Sequence, residues 1–191
     1  MNTIQKFSLA ALGALLLAAA CESTPKIPPA SPESLAAWST IYAVLEHPRC
    51  MNCHPSDGVP KQGDEKLPHA QNIRGGEDGN GRFALRCEAC HRASNIQGPH
   101  LPPGAPGWHM PSSKEPLIFE GRSSGDLCRQ LKDPAHNGGM SPEQLYKHMA
   151  EAPLVLWGWS PGEGRTPVPI SHEELLRAMR AWIDGGCGCP E

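Results

Sequence analysis

One short unit occurs twice in this chain, as Arg49-Cys50-Met51-Asn52-Cys53-His54 and as Arg86-Cys87-Glu88-Ala89-Cys90-His91, and it constrains the fold more than anything else. Two cysteines three residues apart lie on one face of a short helical turn. There both thiols can add across the vinyl groups of one haem, and the histidine that follows reaches the iron. The spacing therefore predicts two covalently attached c-type haems, one on Cys50 and Cys53 and one on Cys87 and Cys90, with His54 and His91 as proximal iron ligands. A zinc site assembled from the two cysteine pairs is the competing structural reading, but it leaves the histidine behind each pair to coincidence. A thioredoxin-like redox pair fits less well, because no βαβ pattern surrounds either unit.

A chain of 191 residues predicts one domain, or two small lobes. It holds 20 glycines and 21 prolines but only 5% aromatic residues, so few large side chains are available to bury. A core of that kind needs staples or a prosthetic group. Two haems would supply flat, apolar bodies for helices to pack on. The expected fold is mainly α: a loop-rich dihaem cytochrome c, with short helices packed around two covalently bound haems.

The N-terminus carries Lys6 and then an apolar run from Phe7 to Ala20. About 14 apolar residues are too few for a membrane-spanning helix, which needs about 20, so residues 1–20 read as a signal peptide and imply export to the periplasm. Leu17-Ala18-Ala19-Ala20-Cys21 also resembles a bacterial lipoprotein signal, in which Cys21 is lipidated and anchors the mature chain to the membrane; simple cleavage after Ala20 is the alternative. Residues 22–30 contain three prolines and read as a tether, leaving 31–191 as the dihaem domain. Removing Lys6 with the signal leaves 16 of the 17 basic residues against 20 acidic ones, a net charge of −4. Four haem propionates would add to it. That balance disfavours nucleic acid and suits docking on a basic patch of a redox partner.

Ser31-Pro32-Glu33 starts a helix expected over 32–46, with Leu35, Trp38, Ile41, Tyr42 and Leu45 at helical spacing. The Gly- and Asp-rich stretch before Arg82 lacks the spacing of an EF-hand and reads as a loop. Arg82 to His91 reads as the helical turn that carries the second unit. Arg49 and Arg86 each precede a first cysteine, where an arginine either pairs with a haem propionate or is a solvated surface residue. Six prolines within residues 96–116 exclude a regular helix or central strand and predict a long ordered loop holding Trp108-His109-Met110. Further helices are expected at Ser124–Lys132, with Leu127 and Leu131 inward, and from Ser141-Pro142-Glu143 through about Ala150. Trp157-Gly158-Trp159 reads as part of a second loop. Ser171-x-x-Glu174 is a capping box before Leu175, Leu176, Met179, Trp182 and Ile183, and Gly185-Gly186 ends that helix.

The second axial position on each iron separates electron carriage from chemistry: a histidine or methionine closes it, and an empty position admits peroxide, oxygen or carbon monoxide. Beyond His54 and His91, seven histidines remain of the nine. His172 and His136 sit at a helix start and in a turn, and His47 is too near Cys50 to cross the same haem. His69 lies between the two units, and His109 lies in the proline-rich loop, a stiff backbone suited to holding a ligand. His69 and His109 are therefore the expected distal ligands, with His100, His148 and Met110 as runners-up. Histidine ligation predicts low-potential haems. Of the remaining cysteines, Cys128 is expected to pair with Cys189, with Cys187 as the alternative partner. The bond would close a loop of about 60 residues worth about 3–4 kcal/mol.

Taken together, these stretches resemble a group of small exported dihaem cytochromes labelled isoquinoline 1-oxidoreductase subunit. The residues that carry the resemblance are Arg49 to Pro55, His69-Ala70-Gln71-Asn72, Pro102 to His109, Leu131 to Pro134 with Asn137-Gly138-Gly139, and Leu156-Trp157-Gly158-Trp159. The resemblance implies electron transfer beside a molybdenum hydroxylase that oxidises N-heterocycles or aldehydes. Nothing in the chain offers a molybdopterin site, so the expected role is a periplasmic, membrane-tethered electron carrier that passes electrons from such a dehydrogenase to the respiratory chain. A dihaem peroxidase or a haem-based sensor with one open axial site is the alternative. A peroxidase would resemble two complete cytochrome domains, whereas the two units here begin 37 residues apart.

Overall fold

The structure, a computed structural model, describes residues 31–191; the signal peptide expected over 1–20, Cys21 and the tether expected over 22–30 lie outside the described residues. Helix α1 (Pro32–Leu45) starts where Ser31 accepts the Ser34 N–H at 3.1 Å and Pro32 presets the first turn. It buries Trp38, Ile41, Val44 and Leu45 against the C-terminal helix His172–Asp184. Contact between the two helices is close because Ser34 is small and its hydroxyl is used twice, donating to Trp182 O (2.8 Å) and accepting from Gly188 N–H (2.9 Å). The Trp38 and Trp182 rings meet at 5.5 Å, and each indole N–H reaches an oxygen, so neither leaves a buried donor unpaired.

A short helix α2 (Pro48–Met51) follows α1, and α3 (Ser124–Lys132) buries Leu127, Cys128 and Leu131. Cys128 is disulfide-bonded to Cys189, Cα to Cα 5.5 Å, which ties α3 to the tail beyond the last helix. Cys187 is buried and free. Helix α4 (Pro142–Glu151) carries the complete capping box, with Gln144 returning a bond to the Ser141 N–H. At Ser171 the hydroxyl accepts the Glu174 N–H and the return bond is not made, so the box expected there forms by half.

Beyond α4 the structure departs from the sequence reading. Ala152, held extended by the proline after it, breaks the helix, and Pro153 restarts it as α5 (Pro153–Leu156), which runs into a 3₁₀ turn Trp157–Trp159. Trp157 and Trp159 are thus on helical backbone rather than in a loop. The C-terminal helix is α6 (His172–Asp184).

The segment between α2 and α3 holds two minimal hairpins, β1 (Lys61–Gln62) with β2 (Leu67–Pro68) and β3 (Gly81–Arg82) with β4 (Leu85–Arg86). The helical turn expected over Arg82–His91 is therefore corrected: only Cys87–Ala89 is helical. Gly81 at φ 89 and Phe83 at φ 42 bend the chain into the hairpin first, and a Cβ on Gly81 would collide with the Leu85 carbonyl. Residues 96–116 contain no helix or strand and are pinned by bonds such as Met110 N–H to Gly79 O at 2.8 Å. Gly79 has no room for a side chain, since a Cβ would meet the Met110 carbonyl. The described residues are mainly α, and no helix among them is long and apolar enough to cross a membrane.

Candidate haem-attachment sites

The first site grows from α2. His47 caps the helix, its Nδ1 accepting the Arg49 N–H at 3.2 Å, and the turn continues through Cys53 N–H to Cys50 O and His54 N–H to Met51 O. One turn of backbone thus presents both cysteines and the histidine to a cavity of about 260 Å³. Its apolar wall includes Trp38, Ile41 and Leu45 of α1, Leu145 of α4, and Met179 and Trp182 of α6. Burial pushes the Cys50 thiol up to about 12 and Cys53 to about 11, with the neighbouring cysteine thiols adding to it, so neither is the thiolate that a redox nucleophile needs. His54 donates its Nδ1–H to Leu117 O at 2.7 Å, and its ring stacks on Phe119 with centres 3.8 Å apart. Burial, reinforced by nearby His148 and His109, holds its pKa down at about 4.

The second site is built differently. Strand β4 leads into the Cys87–Ala89 turn, whose Cys87 N–H is held by Asn80 O at 2.9 Å, and Cys90 is exposed. His91 donates its Nδ1–H to Pro103 O at 2.8 Å and stacks on Trp108, ring centres 4.5 Å apart and planes 3° from parallel. Burial lowers its pKa as well.

His69 and His109 divide between the two sites. The His69 ring centre is 6.0 Å from that of His91, and His109 lines the cavity that holds His54. His69 bonds through Nδ1 to Ala70 O, and His109 through Nδ1 to Gly107 O. Those two and the two proximal histidines share one arrangement. A carbonyl only accepts, so Nδ1 carries the proton and Nε2 keeps a free lone pair, the usual state of a metal-ligating histidine with an outer-shell partner.

Three of the other histidines have other partners. His172 uses Nε2, on Met149 O; His136 pairs with Asp133; His47 is the cap. Among the runners-up, His148 lines the same cavity as His109. His100 packs against Gly164, and Met110 is buried against Gly75 and Gly79; neither lines that cavity.

The two arginines also part. Arg49 is 5% exposed, lines the cavity, and donates to Asp64 Oδ1 at 2.6 Å and Gly63 O at 2.9 Å, while its Nε is buried without a partner. Asp64 in turn takes the Thr166 N–H and hydroxyl. Arg49 is therefore a buried clamp between two loops. Arg86 is partly exposed and pairs with Asp78 at 2.9 Å.

The residues present fit c-type haem: paired cysteines on one turn, a neutral histidine beside them with Nε2 free, a second such histidine in reach, and at the first site a deep apolar cavity. No group of three or more His, Cys, Asp or Glu gathers for a metal ion among the described residues. Sequence reasoning missed the supporting shell of Leu117, Phe119, Pro103 and Trp108. Two of these act through carbonyls, which leave no mark in a sequence. Comparison of the chain with family models, with curated proteins and with solved structures returns no match.

Proposed function

We propose that the chain is a dihaem c-type cytochrome that carries electrons in the periplasm, held to the membrane by a lipid on Cys21. It takes electrons from a dehydrogenase of the molybdenum-hydroxylase type and passes them towards the respiratory chain. The observation that carries the reading is the shared state of His54, His91, His69 and His109, each with Nδ1 on a backbone carbonyl and Nε2 free. Haem, when bound, supplies a one-electron iron couple. The chain supplies the rest. Cys50, Cys53, Cys87 and Cys90 tether the two groups; the carbonyls of Leu117 and Pro103 orient the proximal rings, and Phe119 and Trp108 hold their planes. His69 and His109 would supply a second imidazole to each iron. Trp38, Ile41 and Leu45 keep water from the first site. No general base and no covalent intermediate are involved.

The peroxidase or sensor reading draws on one observation, that His148 shares the cavity with His109 and supplies an imidazole beyond the pair needed for ligation. Expression with c-type maturation machinery separates the readings. A carrier contains two haems per chain, cycles reversibly between ferric and ferrous, and does not turn over peroxide. Steady peroxide turnover would favour the alternative, and a chain without haem would remove both.

A further inference from the structure

The two sites are joined by aromatic side chains that ligation does not use. Trp108 lies parallel on His91, and its ring meets Trp157 edge-on with centres 4.9 Å apart and planes at 81°. Trp157 in turn lines the cavity shared by Cys50, Cys53 and His54, with the Arg49 guanidinium 5.7 Å from its ring centre. Neither indole is free to drift. Trp157 donates Nε1–H to Asn95 Oδ1 at 2.9 Å, the same oxygen accepts Gly104 N–H at 3.0 Å, and Asn95 Nδ2 donates to Ser160 O. Gly104 in turn is packed so tightly that a Cβ would meet the Arg92 and Ser94 carbonyls. Trp157 is thus fixed to the backbone around Asn95 and Gly104, and Trp108 is held by its stack on His91.

Resting on the carrier reading, we propose that Trp108 and Trp157 are the electronic contact between the two haem sites. Electron exchange weakens steeply with distance and more steeply across gaps than through packed atoms. A ring stacked on one iron's histidine and touching a ring in the other site's wall removes such a gap. The step moves one electron: the ferrous iron of one site becomes ferric, the ferric iron of the other becomes ferrous, and no proton moves. Neither tryptophan is itself oxidised, and the electron enters from an external one-electron reductant. Trp108 and Trp157 are positioning residues, since they act between the two groups rather than at the reacting iron. A competing route runs where Cys87 lies near enough to Cys53 to raise its thiol pKa.

The test uses the mature dihaem protein. One electron is injected by pulse radiolysis, and its redistribution between the two haems is followed optically in the wild type, Trp108→Leu, Trp108→Phe and Trp157→Leu. Haem content, both midpoint potentials and the ferric EPR spectra are measured on each. The expected result is redistribution severalfold slower in both leucine variants, with midpoint potentials unchanged in Trp157→Leu and most of the rate regained in Trp108→Phe. Unchanged rates in Trp157→Leu overturn the proposal and favour the Cys53–Cys87 side. If Trp108→Leu fails to hold its second haem, Trp157→Leu alone decides, because Trp157 touches neither proximal histidine. A wild type with fewer than two haems overturns the carrier reading itself, whereas two haems with unaltered rates overturn only the contact.

Discussion

Cys50, Cys53 and His54 sit on a helical turn whose cavity wall is the hydrophobic core itself, whereas Cys87, Cys90 and His91 sit on a turn fed by a two-residue strand and backed by proline-rich loops. The same six-residue spacing is thus served by two kinds of support. At the first site, α1, α4 and α6 hold the histidine's surroundings, and the disulfide from α3 closes them. At the second, one carbonyl, one stacked tryptophan and hairpin bonds do the holding, and Phe83 and Leu85 beside it are exposed. The attachment motif specifies a covalent link and one ligand. On the proposed function, what surrounds the link decides whether the haem would belong to the folding core or be carried at its surface.

That contrast breaks most readily at the core. Loss of the first haem would leave the apolar side chains of α1, α4 and α6 that line the cavity of about 260 Å³ facing water instead of a packed partner. The double variant Cys50→Ser, Cys53→Ser is therefore expected to lower the denaturation midpoint strongly, while Cys87→Ser, Cys90→Ser loses one haem and moves the midpoint little. Equal losses from both pairs would erase the distinction. Next in size is the disulfide. Replacing Cys128 and Cys189 by alanine reopens a separation of 61 residues and is expected to cost about 4 kcal/mol, read as a lower denaturation midpoint with both haems still attached.

The two arginines give a smaller and more local comparison. Asp64→Ala leaves the buried Arg49 guanidinium without its acid and should lower stability by about 2 kcal/mol. Asp78→Ala releases the exposed Arg86 and should leave the midpoint where it was. A further difference is one of pH. In the haem-free chain, unfolded His54 takes up a proton near its usual 6.5, and folded His54 only near about 4. Its neutral form therefore stabilises the fold fully above pH 6.5, and that contribution is lost as pH falls through the window to about 4. Denaturation midpoints at pH 7 and pH 4.5 should differ less in His54→Gln than in the unsubstituted haem-free chain.

Much of the scaffold was legible because it rests on local rules. Ser31, Ser123, Ser141 and Ser171 all cap helices at or near the positions where serine precedes an apolar repeat, and Leu127 and Leu131 face inward as their spacing requires. The pairing of Cys128 with Cys189 was legible because the attachment motifs left few cysteines over. Illegible features depend on long-range geometry. That His69 approaches His91 while His109 lines the cavity of His54 is set by how loops cross, which has no periodicity to read. The hairpin at β3 and β4 was hidden because Phe83 adopts a positive φ that nothing in its chemistry favours. Trp157 and Trp159 stood beside Gly158 and Pro161, and the loop composition masked the helix restarted by Pro153.

The proposed function stands or falls on whether each Cys-x-x-Cys-His unit is closed by a second histidine, His109 at the first and His69 at the second. Its most direct test is low-temperature EPR of the ferric protein, with the optical spectrum of the ferrous protein under carbon monoxide, in the wild type, His69→Ala and His109→Ala. The account predicts two low-spin signals and no carbon monoxide shift in the wild type, and one new high-spin, carbon monoxide-binding haem in each variant. A wild-type high-spin haem, or a variant whose spectrum is unchanged, would contradict it.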